Sequence, residues 1–133
     1  MINFKRYIGI PFLDTGRTKE GADCWGLIKL IYKETIDVDI PEYYISCDDV
    51  TCIAETVDRD LKTKWERQVN PEPLDVVTFK GLVEGMPFLI THVGIYIGDN
   101  KLIHAVRDNT SAAVRTDRGF WAGRIEGFYR WKG

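Results

Sequence analysis

The sequence predicts an α+β domain in which helices come first and strands follow. Leu27, Ile28, Leu30 and Ile31 fall on one face at helical spacing, and Val50, Ile53, Ala54, Val57, Leu61 and Trp65 do the same further along. From Val76 onward the apolar residues alternate instead, in runs bounded by Gly, Asp and Asn, which is the pattern of half-buried strands. Because the helical runs and the strand runs are segregated, the sheet should be antiparallel, with about five strands and no βαβ crossovers.

In order along the chain, Asn3 to Tyr7 can open a short helix, and Gly9, Pro11, Asp14 and Gly16 mark an irregular loop. Asp23 is a natural N-cap for the first long helix, so Cys24 should occupy that helix's first position. The helix should stop near Thr35, because Ile36, Val38 and Ile40 alternate and Pro41 cannot continue it. The second helix should run from Asp49 to about Arg67, capped by Asp48 or Asp49. Strands are expected at Val76 to Phe79, Thr91 to Ile97, Lys101 to Val106, Ala113 to Thr116 and Ile125 to Trp131. Gly98, Asp99 and Asn100 form a tight-turn signal that joins two of them in a hairpin.

The bulk numbers narrow the function. At 133 residues, 44% hydrophobic and 29% charged, the chain suits one domain spanning residues 1–133. A formal net charge of −2 with dispersed basic residues gives no broad attraction for nucleic acid. No window approaches the roughly 18 apolar residues of a membrane span, and no signal-peptide core precedes the first proline, so the chain is read as soluble and cytoplasmic as synthesised. Cys47 and Cys52 lack the partners that would complete a zinc site, and neither a metal nor a cofactor is expected.

Chemistry is expected at Cys24, His92 and His104, the last two being the chain's two histidines. A thiol at a helix start and an imidazole on a strand are the parts of a cysteine nucleophile site, and the helix start should depress the thiol pKa. Alternation puts His92, Gly94 and Tyr96 on one face of their strand, with Val93, Ile95 and Ile97 on the other, and Gly94 leaves room for a helix end to approach. A plain two-residue turn at Asp99 and Asn100 would set His104 opposite Ile95, on the face away from His92. Only a bulge, an odd loop or strong coiling would bring the two rings together. Asp75 is read as a turn-satisfying carboxylate, Arg17 to Glu20 as a solvated loop, and Trp25, Trp121 and Trp131 as core or groove walls.

Four blocks resemble the NlpC-type papain-like cysteine peptidases, which cut the peptide stems of bacterial cell walls: Gly21-Ala22-Asp23-Cys24-Trp25-Gly26-Leu27, Pro73-Leu74-Asp75-Val76-Val77, His92-Val93-Gly94-Ile95-Tyr96-Ile97-Gly98 and Ile103-His104-Ala105. The resemblance implies a papain-like fold, with Cys24 as nucleophile, His92 as general base and His104 as the residue that orients it. It puts Phe12, Asp23 and Trp25 on the substrate and oxyanion side. The implied reaction is hydrolysis of a peptidoglycan stem peptide at a D-glutamyl-diamino acid bond, without metal or cofactor. Tyr7 to Phe12 and Ile125 to Arg130 look most like tail-associated peptidases of phages and prophages, which implies phage tail proteins as partners and the virion tail as the place of action. Two positions depart from the family pattern: Phe12 stands where members have a tyrosine, and Leu74 where they have a glycine, a change expected to alter only a turn. The alternatives are a wall-binding or tail-assembly module of the same fold, and a thioester-forming acyltransferase or amidase.

Overall fold

A computed structural model describes residues 2–133. A 3-10 turn at Phe4–Tyr7 and a two-stranded hairpin, β1 (Arg17–Thr18) and β2 (Gly21–Ala22), lead into α1 (Cys24–Ile36). After an irregular strap over residues 37–49 come α2 (Val50–Thr63), β3 (Trp65–Gln68), β4 (Val76–Lys80), β5 (Ile90–Gly98), β6 (Lys101–His104), β7 (Ala112–Arg115) and β8 (Ile125–Trp131). Strands β3 to β8 form one antiparallel sheet in the order β3-β8-β4-β5-β6-β7. The expected α+β architecture is the one found.

The helices start where their caps dictate. The Asp23 carboxylate accepts from the Gly26 N–H at 2.7 Å, and that of Asp49 accepts from the Cys52 N–H at 3.2 Å. Helix α1 ends one residue beyond Thr35, with Asp37 in the left-handed conformation at φ 54°. Its inward stripe of Leu27, Ile28 and Ile31 is fully buried against Val76, Val93, Ile95 and Ile103 of the sheet. The opposite sheet face buries a second, smaller cluster, Val77, Phe79, Tyr96 and Leu102, beneath Trp121, Ile125 and Phe128.

The second helix is shorter than expected. It stops at Thr63, and Trp65 begins β3, pairing with Trp131 of β8. Trp65 satisfies helical spacing with Leu61 and is equally suited to a strand, so its apolarity is spent on a tryptophan pair (ring centroids 5.0 Å apart) at the sheet edge. That edge strand raises the main sheet from the expected five strands to six.

One turn carries local constraint. Glu72 to Asp75 closes with the Asp75 N–H donating to the Glu72 carbonyl at 3.0 Å, and Leu74 holds φ 81° there, a conformation that favours glycine. Asp75 is buried, and its carboxylate takes the Glu72 N–H at 2.8 Å and a two-pronged bond from Arg130 at 2.9 and 2.8 Å, so it is consumed by structure.

Leu74→Gly and Leu74→Ala both remove the partly buried side chain, but only glycine relieves the backbone. Leu74→Gly should therefore be more stable than Leu74→Ala by about 1 kcal/mol in urea unfolding; equal stabilities would show that the turn is unstrained.

Candidate active site

The site begins with a carboxylate one residue before the thiol. Asp23 is buried, and besides capping α1 it accepts from the Thr15 N–H at 2.9 Å and from Arg17 Nη1 at 2.8 Å. Arg17 in turn donates to the Glu42 carboxylate through Nε and Nη2 at 2.7 to 2.9 Å, to the Gly16 carbonyl at 2.8 Å and to the Tyr43 carbonyl at 3.0 Å. Burial works against the Arg17 charge, but Glu42 and Asp23 outweigh it and raise its pKa. Residues Arg17 to Glu20 are thus not simply the solvated loop expected: Arg17 is the tie between the β1–β2 hairpin, the start of α1 and the strap.

That tie requires Gly26. A Cβ there would lie 1.9 Å from the Gly16 carbonyl oxygen, so the hairpin can touch the helix only where the helix has no side chain. The strap is pinned at two further points. Trp25 Nε1 donates to the Pro41 carbonyl at 2.8 Å, and Asp14 accepts from Ser46 Oγ at 2.6 Å and from the Cys47 N–H at 2.8 Å.

The two histidines meet because the hairpin is bulged. Asp99 and Asn100 sit at φ 54° and 59°, as a two-residue turn requires, but the ladder slips by one residue between Tyr96 and Gly98. Ile95 then pairs with Ile103, and His104 comes across beside Gly94. A Cβ on Gly94 would lie 2.9 Å from Leu102 Cδ1 and 3.2 Å from His104 Cβ. The space at Gly94 therefore admits the neighbouring strand, not the helix end that the sequence suggests. His92 Nε2 and His104 Nδ1 are 2.8 Å apart. Phe79 and Trp121 flank both rings, with the Trp121 ring centroid 5.2 Å from His92 and 4.5 Å from His104.

A cavity of about 260 Å³ joins these parts. Cys24, Trp25, Asp23, Phe12 and His92 all line it, along with α2 and the strap, while His104 lies behind His92. Among the described residues no hydrogen bond links the Cys24 thiol to His92; such contacts in unliganded sites often tighten only on substrate binding. All three cysteines are free thiols.

The electrostatics differ from expectation. Burial, reinforced by the Asp23 charge, pushes the Cys24 thiol up to about 12, against the opposing pull of the Val93 and Trp25 N–H groups. The helix start alone does not depress it. Burial also lowers His92 to about 3, with the His104 charge adding to the effect, and lowers His104 to about 4. Both groups therefore rest neutral, and a proton can pass from thiol to imidazole without changing the net charge of the site.

Among the described residues one group could offer three metal-ligating atoms, Asp14, Cys47 and Asp48. Arg107 donates to the Cys47 sulfur and to the Asp48 carboxylate, each at 2.5 Å, so a cation already holds that place. No helix is long and apolar enough to cross a membrane among those residues.

Comparison with known proteins shows the family and the fold. The model of the NlpC/P60 family matches residues 9–130. The gamma-DL-glutamyl hydrolase of Bacillus subtilis is 27% identical over 127 residues, covering 95% of this chain and 27% of that protein. The murein DD-endopeptidase MepS/murein LD-carboxypeptidase of Escherichia coli K12 is 24% identical over 124 residues, covering 93% and 57%. The chain thus spans between a quarter and just over half of these relatives. Among solved structures, NlpC1 of Trichomonas vaginalis superposes with a TM-score of 0.70 at 21% identity over 96% of this chain and 41% of that one. The NlpC/p60 domain of the peptidoglycan hydrolase SagA gives 0.64 at 19% over 95% and 91%.

Because the folded histidines lie below the ordinary value of 6.5, the unfolded chain binds more protons between pH 6.5 and about 4. Their contribution is intact above 6.5 and is lost as pH falls through that window. Unfolding free energy measured from pH 7 to 4.5 should fall less steeply in His92→Gln/His104→Gln than in the parent; identical slopes would show that the pair does not bury its neutral form. Gly26→Ala should cost about 3 kcal/mol or more by the same measurement, because backbone opposes the new methyl.

Proposed function

We propose that this chain, which belongs to the NlpC/P60 family, is a cysteine endopeptidase that opens the peptide stems of peptidoglycan. The observation that carries the reading is the Cys24 thiol, at the start of α1, sharing one cavity with an imidazole, His92, whose far nitrogen is bonded to His104. Names of the relatives point the same way, one being called a glutamyl hydrolase and another a murein endopeptidase.

In this mechanism His92 donates through Nε2–H to His104 Nδ1, which leaves His92 Nδ1 unprotonated as the base. His92 takes the Cys24 proton as the sulfur attacks the scissile carbonyl. The Val93 and Trp25 N–H groups that pull the thiol pKa down stabilise the sulfur's charge, and the backbone N–H of Cys24 supports the oxyanion. Collapse breaks the C–N bond and returns the proton to the leaving amine. Water then attacks the thioester, again deprotonated by His92, and frees Cys24. The mutual neutrality of thiol and imidazole suits a buried site, because separated charge exists only while substrate is bound.

The bond we assign is that between D-glutamate and the diamino acid, supported by the family resemblance and by the name of the Bacillus relative. The terminal segments' likeness to tail-associated peptidases supports synthesis in the cytoplasm and action on the wall from a phage tail, with tail proteins as partners. One observation favours a second reading, a module of this fold that holds wall peptide without cutting it: Phe12, which has no hydrogen-bond donor, lines the cavity.

Defined muropeptides incubated with wild type should yield the D-glutamyl cleavage products by mass spectrometry. Cys24→Ala should slow their release by about 10⁴-fold or more. Products persisting at the wild-type rate in Cys24→Ala would remove the nucleophile assignment, and retention of muropeptide without any cleavage by wild type would favour the binding module.

A further inference from the structure

Tyr43 has a buried phenolic oxygen with no hydrogen-bond partner, one of two such side-chain atoms among the described residues. A donor left unpaired away from water is a standing cost to the fold, and an unliganded site is where such a cost persists. Tyr43 lines the cavity that Cys24 and His92 share. Its ring packs 5.5 Å from that of Trp25, the residue after the nucleophile.

Its backbone is set in place independently of its hydroxyl. Arg17 grips the Tyr43 carbonyl and the Glu42 carboxylate, the Tyr43 N–H donates to the same carboxylate at 2.9 Å, and Arg17 also bonds Asp23, the cap of the helix that Cys24 begins. One chain of hydrogen bonds thus fixes Tyr43 relative to the thiol, which is what a preorganised donor requires. Much of the cavity wall is apolar, with Phe12, Ile45, Ile53 and Trp65 in it, and Trp25 already spends its N–H on Pro41; Thr56, Asp60 and Thr78 are among its polar members.

We propose that the Tyr43 hydroxyl is a substrate contact, donating its hydrogen bond to a carbonyl or carboxylate oxygen of the peptide that Cys24 attacks. The assignment rests on the peptidase reading for its substrate, a peptidoglycan stem peptide, but the contact itself is a binding property. Tyr43→Phe deletes the donor and nothing that the unliganded fold uses. It should leave the melting temperature unchanged or slightly raised, whereas a structural hydroxyl would lower it.

The test has two arms with the same muropeptide. In the catalytic arm, Tyr43→Phe should reduce kcat/KM by about ten- to a hundredfold. In the binding arm, Cys24→Ala should retain the peptide and Cys24→Ala/Tyr43→Phe should hold it about tenfold or more weakly. A kcat/KM within about twofold of wild type, or a lowered melting temperature, would overturn the proposal. If wild type cleaves nothing, the peptidase reading fails; weaker retention in the double variant would then still support the Tyr43 contact. Retention that is equal in the two Cys24→Ala backgrounds, or absent from both, would end it.

Discussion

The site depends on one buried carboxylate. Asp23 caps α1, takes the Thr15 N–H and pairs with Arg17, and Arg17 carries the connection to Glu42 and the Tyr43 carbonyl. Three segments that share no sheet hydrogen bonds, the loop before β1, the first turn of α1 and the strap, are held around the thiol by these two side chains. A buried ion pair is worth having only when its remaining hydrogen-bonding capacity is filled, and here it is filled on both sides. The arrangement also explains why Gly26 follows so closely after Cys24: the Arg17 hairpin reaches the cap by lying directly on the helix.

The same burial that steadies the frame sets the chemistry's resting state. Desolvation disfavours charge on Cys24 and on His92 alike, so neither is ionised by itself. A proton moved between them costs far less than one lost to solvent, since the cavity remains neutral. His104 Nδ1 lies within hydrogen-bond distance of His92 Nε2, which leaves Nδ1 as the His92 nitrogen outside that contact, and Phe79 and Trp121 flank both rings.

The helices were legible because local signals and tertiary packing agree. Asp23 and Asp49 cap where caps were expected, and the buried stripe of α1 follows its spacing. The strands from Val76 onward were legible for the same reason. Trp65 was not, because an aromatic residue continuing an apolar spacing looks helical until a partner such as Trp131 claims it. Arg17 was missed because its partners are 6 and 25 residues away, beyond any local pattern. The thiol pKa was misjudged for a related cause: the helix start is visible in sequence, whereas the depth of burial that outweighs it is a property of the folded chain. Alternation grouped His92 with Gly94 and Tyr96, but α1 packs on the Val93 and Ile95 face instead, and His104's place depended on a bulge that leaves no compositional trace.

That bulge makes the pairing of the histidines a matter of counting rather than of composition. The face on which His104 lands is set by the number of residues between Ile95 and Ile103, since one residue more or fewer inverts every side chain of β6 relative to β5. Substitutions at the hairpin's tip that keep its positive-φ turn leave that parity untouched, whereas a change of length does not. A sequence relative could keep both histidines, both flanking strands and the whole fold, yet carry an imidazole pair that never meets because its hairpin is one residue out of phase.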